Sequence, residues 1–343
     1  KARGKLETLE ALRTVNAQTK AETAEDGAAA SSSSESAFVV CDSYKKDLAP
    51  FVAKHPTIFI SHQWLGHRAP DPDGIHFKAI IQACEALAAE ADLKTDDLFL
   101  WVDYSCVPQV NKFTQALAIH SLMVYASACR YFIACAPDAK HAQTGATCNL
   151  ESYQRRGWCR LEQFARLSGG TEGMYYYSGS VSESGWSMQG GKSALQTYEM
   201  DEKAVHQAVL VMEADFTLDS DKEVLVDEML ALLALVCADQ KDSSLHHLLL
   251  SNLDRVFPED LFGELPLRIV KLATVDSVAQ LTSVEALERA TNRERREMVR
   301  AHRHVHVMGP ESSLTIARRR SSGALSDRAG KVGPNKSAGS ENI

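Results

Sequence analysis

Thr57-Ile58-Phe59-Ile60-Ser61-His62-Gln63-Trp64 is the stretch from which the fold is read. Thr57 to Ile60 is a short β-prone run with no polar alternation, which suits a central parallel strand covered on both faces. Downstream, Arg68 to Gly74 is turn-forming, with two prolines and a glycine. His76 to Leu93 then reads as an amphipathic helix, with Phe77, Ile80, Ile81, Cys84, Leu87, Ala88 and Ala91 on one stripe. Leu98 to Val102 is a second strand, ending at Asp103-Tyr104, and Phe113 to Ala128 a second helix. Arg130 to Ala136 is a third strand, stopped by Pro137-Asp138. After a polar loop, the glycine-broken turn at Gly157 leads into another helix, and Met174 to Tyr177 is a fourth strand. Strands alternating with helices in this order predict an α/β fold: a parallel sheet with helices on both faces.

In such a sheet, ligands bind beyond the carboxyl ends of the strands. Ser61, His62, Gln63 and Trp64 follow the first strand, and Asp103, Tyr104 and Ser105 follow the second. The segment Arg155-Arg156-Gly157-Trp158-Cys159-Arg160-Leu161-Glu162-Gln163-Phe164 follows the third strand, so its helix starts at the same edge. Trp158, Leu161 and Phe164–Ala165 fall at helical spacing and form its buried stripe, while Cys159 and Glu162 share a neighbouring face. Each candidate has a plainer role as well. Glu162 fits a partner for the helix N-terminal dipole, Trp158 a core residue, Asp103 a cap, and His62 a hydrogen-bonded residue at a strand end.

The order and the residues together resemble Toll/interleukin-1 receptor (TIR) domains. Phe59-Ile60-Ser61-His62 is similar to their first-strand signature, and Leu98 to Asp103 to their second strand with its terminal Asp. Tyr125-Ala126-Ser127 followed by Tyr131-Phe132-Ile133 resembles the next helix and strand. Trp158-Cys159-Arg160-Leu161-Glu162 matches the pattern Trp-Cys, two residues, Glu. The resemblance runs from Thr57 to Tyr177, about a third of the chain. It departs at Cys106-Val107-Pro108-Gln109, where an Arg-Gly or Lys-Gly type motif is expected, and at Gln63-Trp64-Leu65, which replaces an Asp-containing loop. The resemblance therefore points to a divergent branch with a flavodoxin-like, doubly wound sheet. It also implies that Glu162 is the catalytic acid residue of an NAD⁺ nucleosidase, which cleaves the nicotinamide–ribose bond. Ser61, His62, Trp64, Asp103, Tyr104 and Trp158 would then be substrate-binding residues. NAD⁺ or a related nucleotide is the substrate, and no cofactor is called for. Nicotinamide leaves as a neutral molecule, so one carboxylate set against the developing oxocarbenium ion suffices.

The rest of the chain frames that unit. The segment 1–37 comprises a charged, helix-prone stretch with Leu6, Leu9 and Leu12 near one face, then the Ser/Ala-rich linker Glu25 to Ala37. Residues 38–193 form the TIR-like α/β domain, 194–308 a mostly helical region with helices expected over Ser244 to Val256 and Thr282 to Arg300, and 309–343 a disordered basic tail. The longest apolar run, Met229 to Ala238, is too short to span a bilayer and reads as a core helix. Eight cysteines without a CxxC pair suit reduced thiols, so the expected compartment is cytoplasmic. The net charge of −8 gives no reason to expect a nucleic-acid partner.

Weaker signals lie elsewhere in the chain. Gly190-Gly191-Lys192-Ser193 is not a P-loop, because Gly185 stands one residue too far upstream. Cys106 near His62 or His120 has the form of a nucleophile pair, although an intracellular lone Cys is commonly inert. His302, His304 and His306 alternate, but flanking arginines would repel a cation, so no metal site is expected. Arg318-Arg319-Arg320-Ser321-Ser322 has the form favoured by basophilic kinases, and reads equally as an unfolded basic tail. Two functions of different class remain: the nucleosidase, and a non-catalytic TIR-like interaction module in intracellular signalling, which self-associates or binds a protein partner. What separates them is whether Glu162 opens into a cleft beside His62 and Asp103 or is tied up in a structural hydrogen bond.

Overall fold

The computed structural model describes residues 6–14, 39–41, 43–170, 173–181, 195–241 and 243–273. These belong to one compact unit, Lys1–Thr291. The Glu25–Ala37 linker, Gly190–Ser193, the helix expected over Thr282–Arg300, the three alternating histidines and the basic tail lie outside the described residues.

The sheet is built as the apolar runs predict. Strand β1 (Thr57–His62) is buried along its whole length and pairs in parallel with β2 (Phe99–Val102) on one side and β3 (Tyr131–Pro137) on the other. Two short strands, β4 (Ala139–Lys140) and β5 (Thr147–Cys148), make a separate antiparallel ribbon. Strand β6 (Met174–Gly179) continues the sheet in parallel beside β3, and β7 (Leu195–Thr197) closes it antiparallel, giving the order β2-β1-β3-β6-β7. The mostly helical reading of the region from residue 194 missed β7, because three residues carry no readable period. The polar loop before Gly157 likewise hid the ribbon and a short helix, Leu150–Arg155.

Alternation along β1 divides the core into two layers. Ile58 and Ile60 face helix α1 (Ile75–Glu90), which brings Ala79, Ile80, Ala83, Cys84 and Leu87 against them. Phe59 points the other way and stacks in register between Trp101, with centroids 4.6 Å apart, and Phe132 at 5.6 Å. Helices α2 (Lys112–Ala128) and α3 (Gly157–Gly169) pack against each other on that side, and α2 contributes Tyr125, which stacks on Trp101. Asn111 starts α2 by accepting the amides of Phe113 and Thr114 on its side chain.

The C-terminal region is helical: α4 (Glu202–Val209), α5 (Val226–Asp239), α6 (Ser244–Ser251) and α7 (Leu265–Ala273). It docks on α3 through α4 and α5. Asp215 exchanges backbone hydrogen bonds with Arg155 and Gly157, and the His120 and Glu228 side chains join α2 to α5. A methyl group added at Gly157 would sit 2.0 Å from Phe216 Cζ, so Gly157 lets the helical region approach the start of α3. We expect Gly157→Ala to displace that ring and cost about 1–3 kcal/mol, as overpacking does, in a urea unfolding experiment. Unchanged stability would show that Phe216 swings away freely. No helix among the described residues is long and apolar enough to cross a membrane.

Candidate functional site

The carboxyl edge of the sheet brings six of the seven candidates together in two groups linked by charge, Ser61 with Glu162, and His62, Trp64 and Tyr104 with Asp103. Ser61 is the fifth residue of β1, and alternation puts it on the same face as Phe59, toward α3. Its hydroxyl donates to the carboxylate of Glu162 and lies 2.6 Å from the phenol of Tyr153. Glu162 is beyond the first turn of α3, which holds no acid, so it is not a partner for the free amides at that helix start. His62, one residue on, sends Nε2–H to Asp103 Oδ1 at 2.9 Å. Trp64 donates its indole N–H to the other oxygen of Asp103 at 2.7 Å, and the Tyr104 amide also reaches that carboxylate. The Tyr104 ring meets the Trp64 ring edge-on, with centroids 5.7 Å apart. Trp158 goes elsewhere: it is half-buried and donates Nε1–H to Asp221 of the helical region at 3.0 Å.

Electrostatics bind these groups together. Burial pushes the Glu162 carboxyl up to about 8, and the Asp103 charge adds to it, while the Ser61 hydrogen bond and His62 oppose. A carboxyl in that range is protonated at neutral pH. Burial alone would lower His62, but the charge and hydrogen bond of Asp103, then Glu162 and Asp71, raise it above its ordinary value. Asp103 is held below its ordinary value: burial opposes this, and His62, Trp64 and the Tyr104 amide outweigh it. Beneath them lies His76, which burial and the nearby His62 charge lower to about 3. His76 therefore stays neutral, donating Nε2–H to the Gln63 carbonyl at 2.8 Å, with its ring edge-on to His62. The remaining nitrogen of His62, Nδ1, is buried and has no hydrogen-bond partner among the described residues.

The discriminating observation falls on both sides. Glu162 is beside His62 and Asp103, yet it is only 6% exposed and is tied to Ser61. Trp64, Asp103 and Tyr104 are partly exposed and form the outer wall. Sequence reasoning missed Tyr153, which the capping box of Asn149 and Ser152 positions; an Asn three residues before a Ser was the signal available. It also missed His76, and it placed Gln63 at the strand end without the partners of its amide, Asn149 O and Ser152 Oγ. Cys106 is no activated nucleophile, since desolvation raises its thiol to about 11. Among the described residues no group of three His, Cys, Asp or Glu side chains is placed to hold a metal ion.

Comparison with protein-family models, with curated protein sequences and with solved structures finds no match to this chain.

Proposed function

We propose that the α/β unit is a TIR-like NAD⁺ nucleosidase, with its catalytic carboxyl closed off in this conformation. The observation that carries this reading is the cost of the cluster at the carboxyl edge. A buried acid, a His–Asp pair and an orphaned imidazole nitrogen are expensive where apolar residues would pack as well. Such perturbed groups concentrate at functional sites, and this one occupies the edge where α/β sheets bind ligands.

The chemistry fits these side chains. A pyridinium ring entering beside Glu162 brings positive charge, which favours the ionised carboxylate and drives off its proton. As the C1′–N bond breaks, its electron pair goes to nicotinamide, which leaves neutral. Positive charge develops on the ribose, where Glu162 faces it. Water adds to C1′ and loses a proton to solvent, giving ADP-ribose. Ser61 fixes the carboxyl and Tyr153 fixes Ser61, Asp103 fixes His62 and Trp64, and Trp64 offers a ring to stack on the substrate. The test is nicotinamide release from NAD⁺ by the purified chain, followed by chromatography against a no-protein control.

One observation favours the second reading, a non-catalytic interaction module. The sealed Glu162 would then be a structural acid, and the exposed apolar residues Val110, Phe113 and Leu117 a contact surface for a second copy or a protein partner. Absence of nicotinamide release under all conditions, together with self-association lost in Phe113→Glu, would select it.

A further inference from the structure

We propose that the N-terminal segment, residues 6–14, is an autoinhibitory strap that locks the Asp103–Val110 loop over the Glu162 cluster. The inference rests on reading that cluster as a site. Thr8 starts a short helical stretch by accepting the Ala11 amide on its hydroxyl at 3.1 Å. Leu9 is buried, and Leu6 packs against the core layer containing Ile58, Ile60 and Val102. Between and beside these leucines, two polar contacts seize the loop. Ser105 Oγ donates to the Glu7 carbonyl at 2.8 Å. The backbone amides of Gln109 and Val110 both converge on one oxygen of Glu10, at 2.8 and 3.0 Å.

Paired backbone amides aimed at a carboxylate are a docking arrangement for an anion, and here the chain supplies its own. Burial tends to raise Glu10, yet the Val110 and Gln109 amides hold it below its ordinary value, so it remains charged in this contact. The same loop begins with Asp103 and Tyr104, which wall the site. Holding Ser105, Gln109 and Val110 therefore holds Tyr104 against Trp64 and Asp103 against His62. Among the described residues the segment is attached by three hydrogen bonds and two leucines rather than by a sheet ladder. Patches of that size open locally while the surrounding fold stays intact. Release would free the outer wall and admit a ligand to Glu162 and to the orphaned His62 Nδ1.

The experiment uses full-length Glu10→Ala and, as a variant acting on the apolar contact alone, Leu9→Ser. Amide hydrogen exchange of residues 103–110 and carbethoxylation of His62 by diethyl pyrocarbonate are both measured, with β3 and His76 as internal controls. The expected result is roughly tenfold faster exchange in the loop, as local opening becomes more populated, and clearly increased labelling of His62, with both controls unchanged. Faster loop exchange without His62 labelling would overturn the proposal, leaving a mere buttress. No change in either variant, or acceleration that includes β3, would overturn it too. Nicotinamide release is assayed in parallel. An opened loop with labelled His62 and no turnover would leave the strap standing and remove the nucleosidase reading.

Discussion

Glu162→Gln is expected to reduce nicotinamide release by on the order of 10²–10³-fold while the folded structure persists. Glutamine has nearly the volume of glutamate and can still accept the Ser61 hydrogen bond, so the contact with β1 survives. What it cannot supply is the negative charge that faces the ribose as nicotinamide departs. The pH profile gives a second handle on the same residue. Because the free carboxyl titrates at about 8, wild-type kcat/KM should climb as pH rises toward that value and then level off. The variant should show no such limb. Release at matched folded concentration, measured across pH 6 to 9, checks both outcomes. Wild-type turnover that survives intact in Glu162→Gln would strip the residue of its role, whatever its burial.

How far these features could be read beforehand follows from the length of the signals. Strands β1 and β3 were legible because burial on both faces leaves continuous apolar runs, and β2 because it too is apolar, although it is the edge strand and leaves Leu100 exposed; all three pair in parallel as their order required. Strand β7 and the β4–β5 ribbon have three and two residues per strand, below any readable period. The edge assignment put Ser61, His62, Trp64, Asp103, Tyr104 and Glu162 in one neighbourhood. It could not say that Glu162 would close on Ser61, since that needs the angle at which α3 crosses the sheet. Helical spacing placed Trp158 on a buried stripe with Leu161 and Phe164, and those two are fully buried. Trp158 instead turns to Asp221, more than sixty residues away, and nothing local signals such a partner. The leucine face of residues 6–12 was visible in the sequence, but the clamp of Glu10 on backbone amides was not, because amides carry no side-chain signature.

The effect of pH on stability isolates the burial of Glu162 from any catalysis. Its carboxyl moves from 4.5 to about 8, chiefly because the folded protein removes it from water. Between those values the unfolded chain has released the proton and the folded chain retains it. The folded state then binds more protons, so the free energy of unfolding falls as pH rises. This contribution is fully present below the unfolded value and is lost by about pH 8. At about 1.4 kcal/mol per unit, the shift amounts to several kcal/mol. Glu162→Gln abolishes the titration and keeps the shape of the side chain. His62 and Asp103 titrate in both proteins, so their own pH dependence largely cancels in the comparison. The stability of the variant relative to wild type should therefore improve by several kcal/mol between pH 5 and pH 8, read from urea unfolding curves. A difference that stays flat across that range would mean a solvated, ionised Glu162. The carboxyl would then already be open to water, and neither a closed site nor a strap that closes it would be needed.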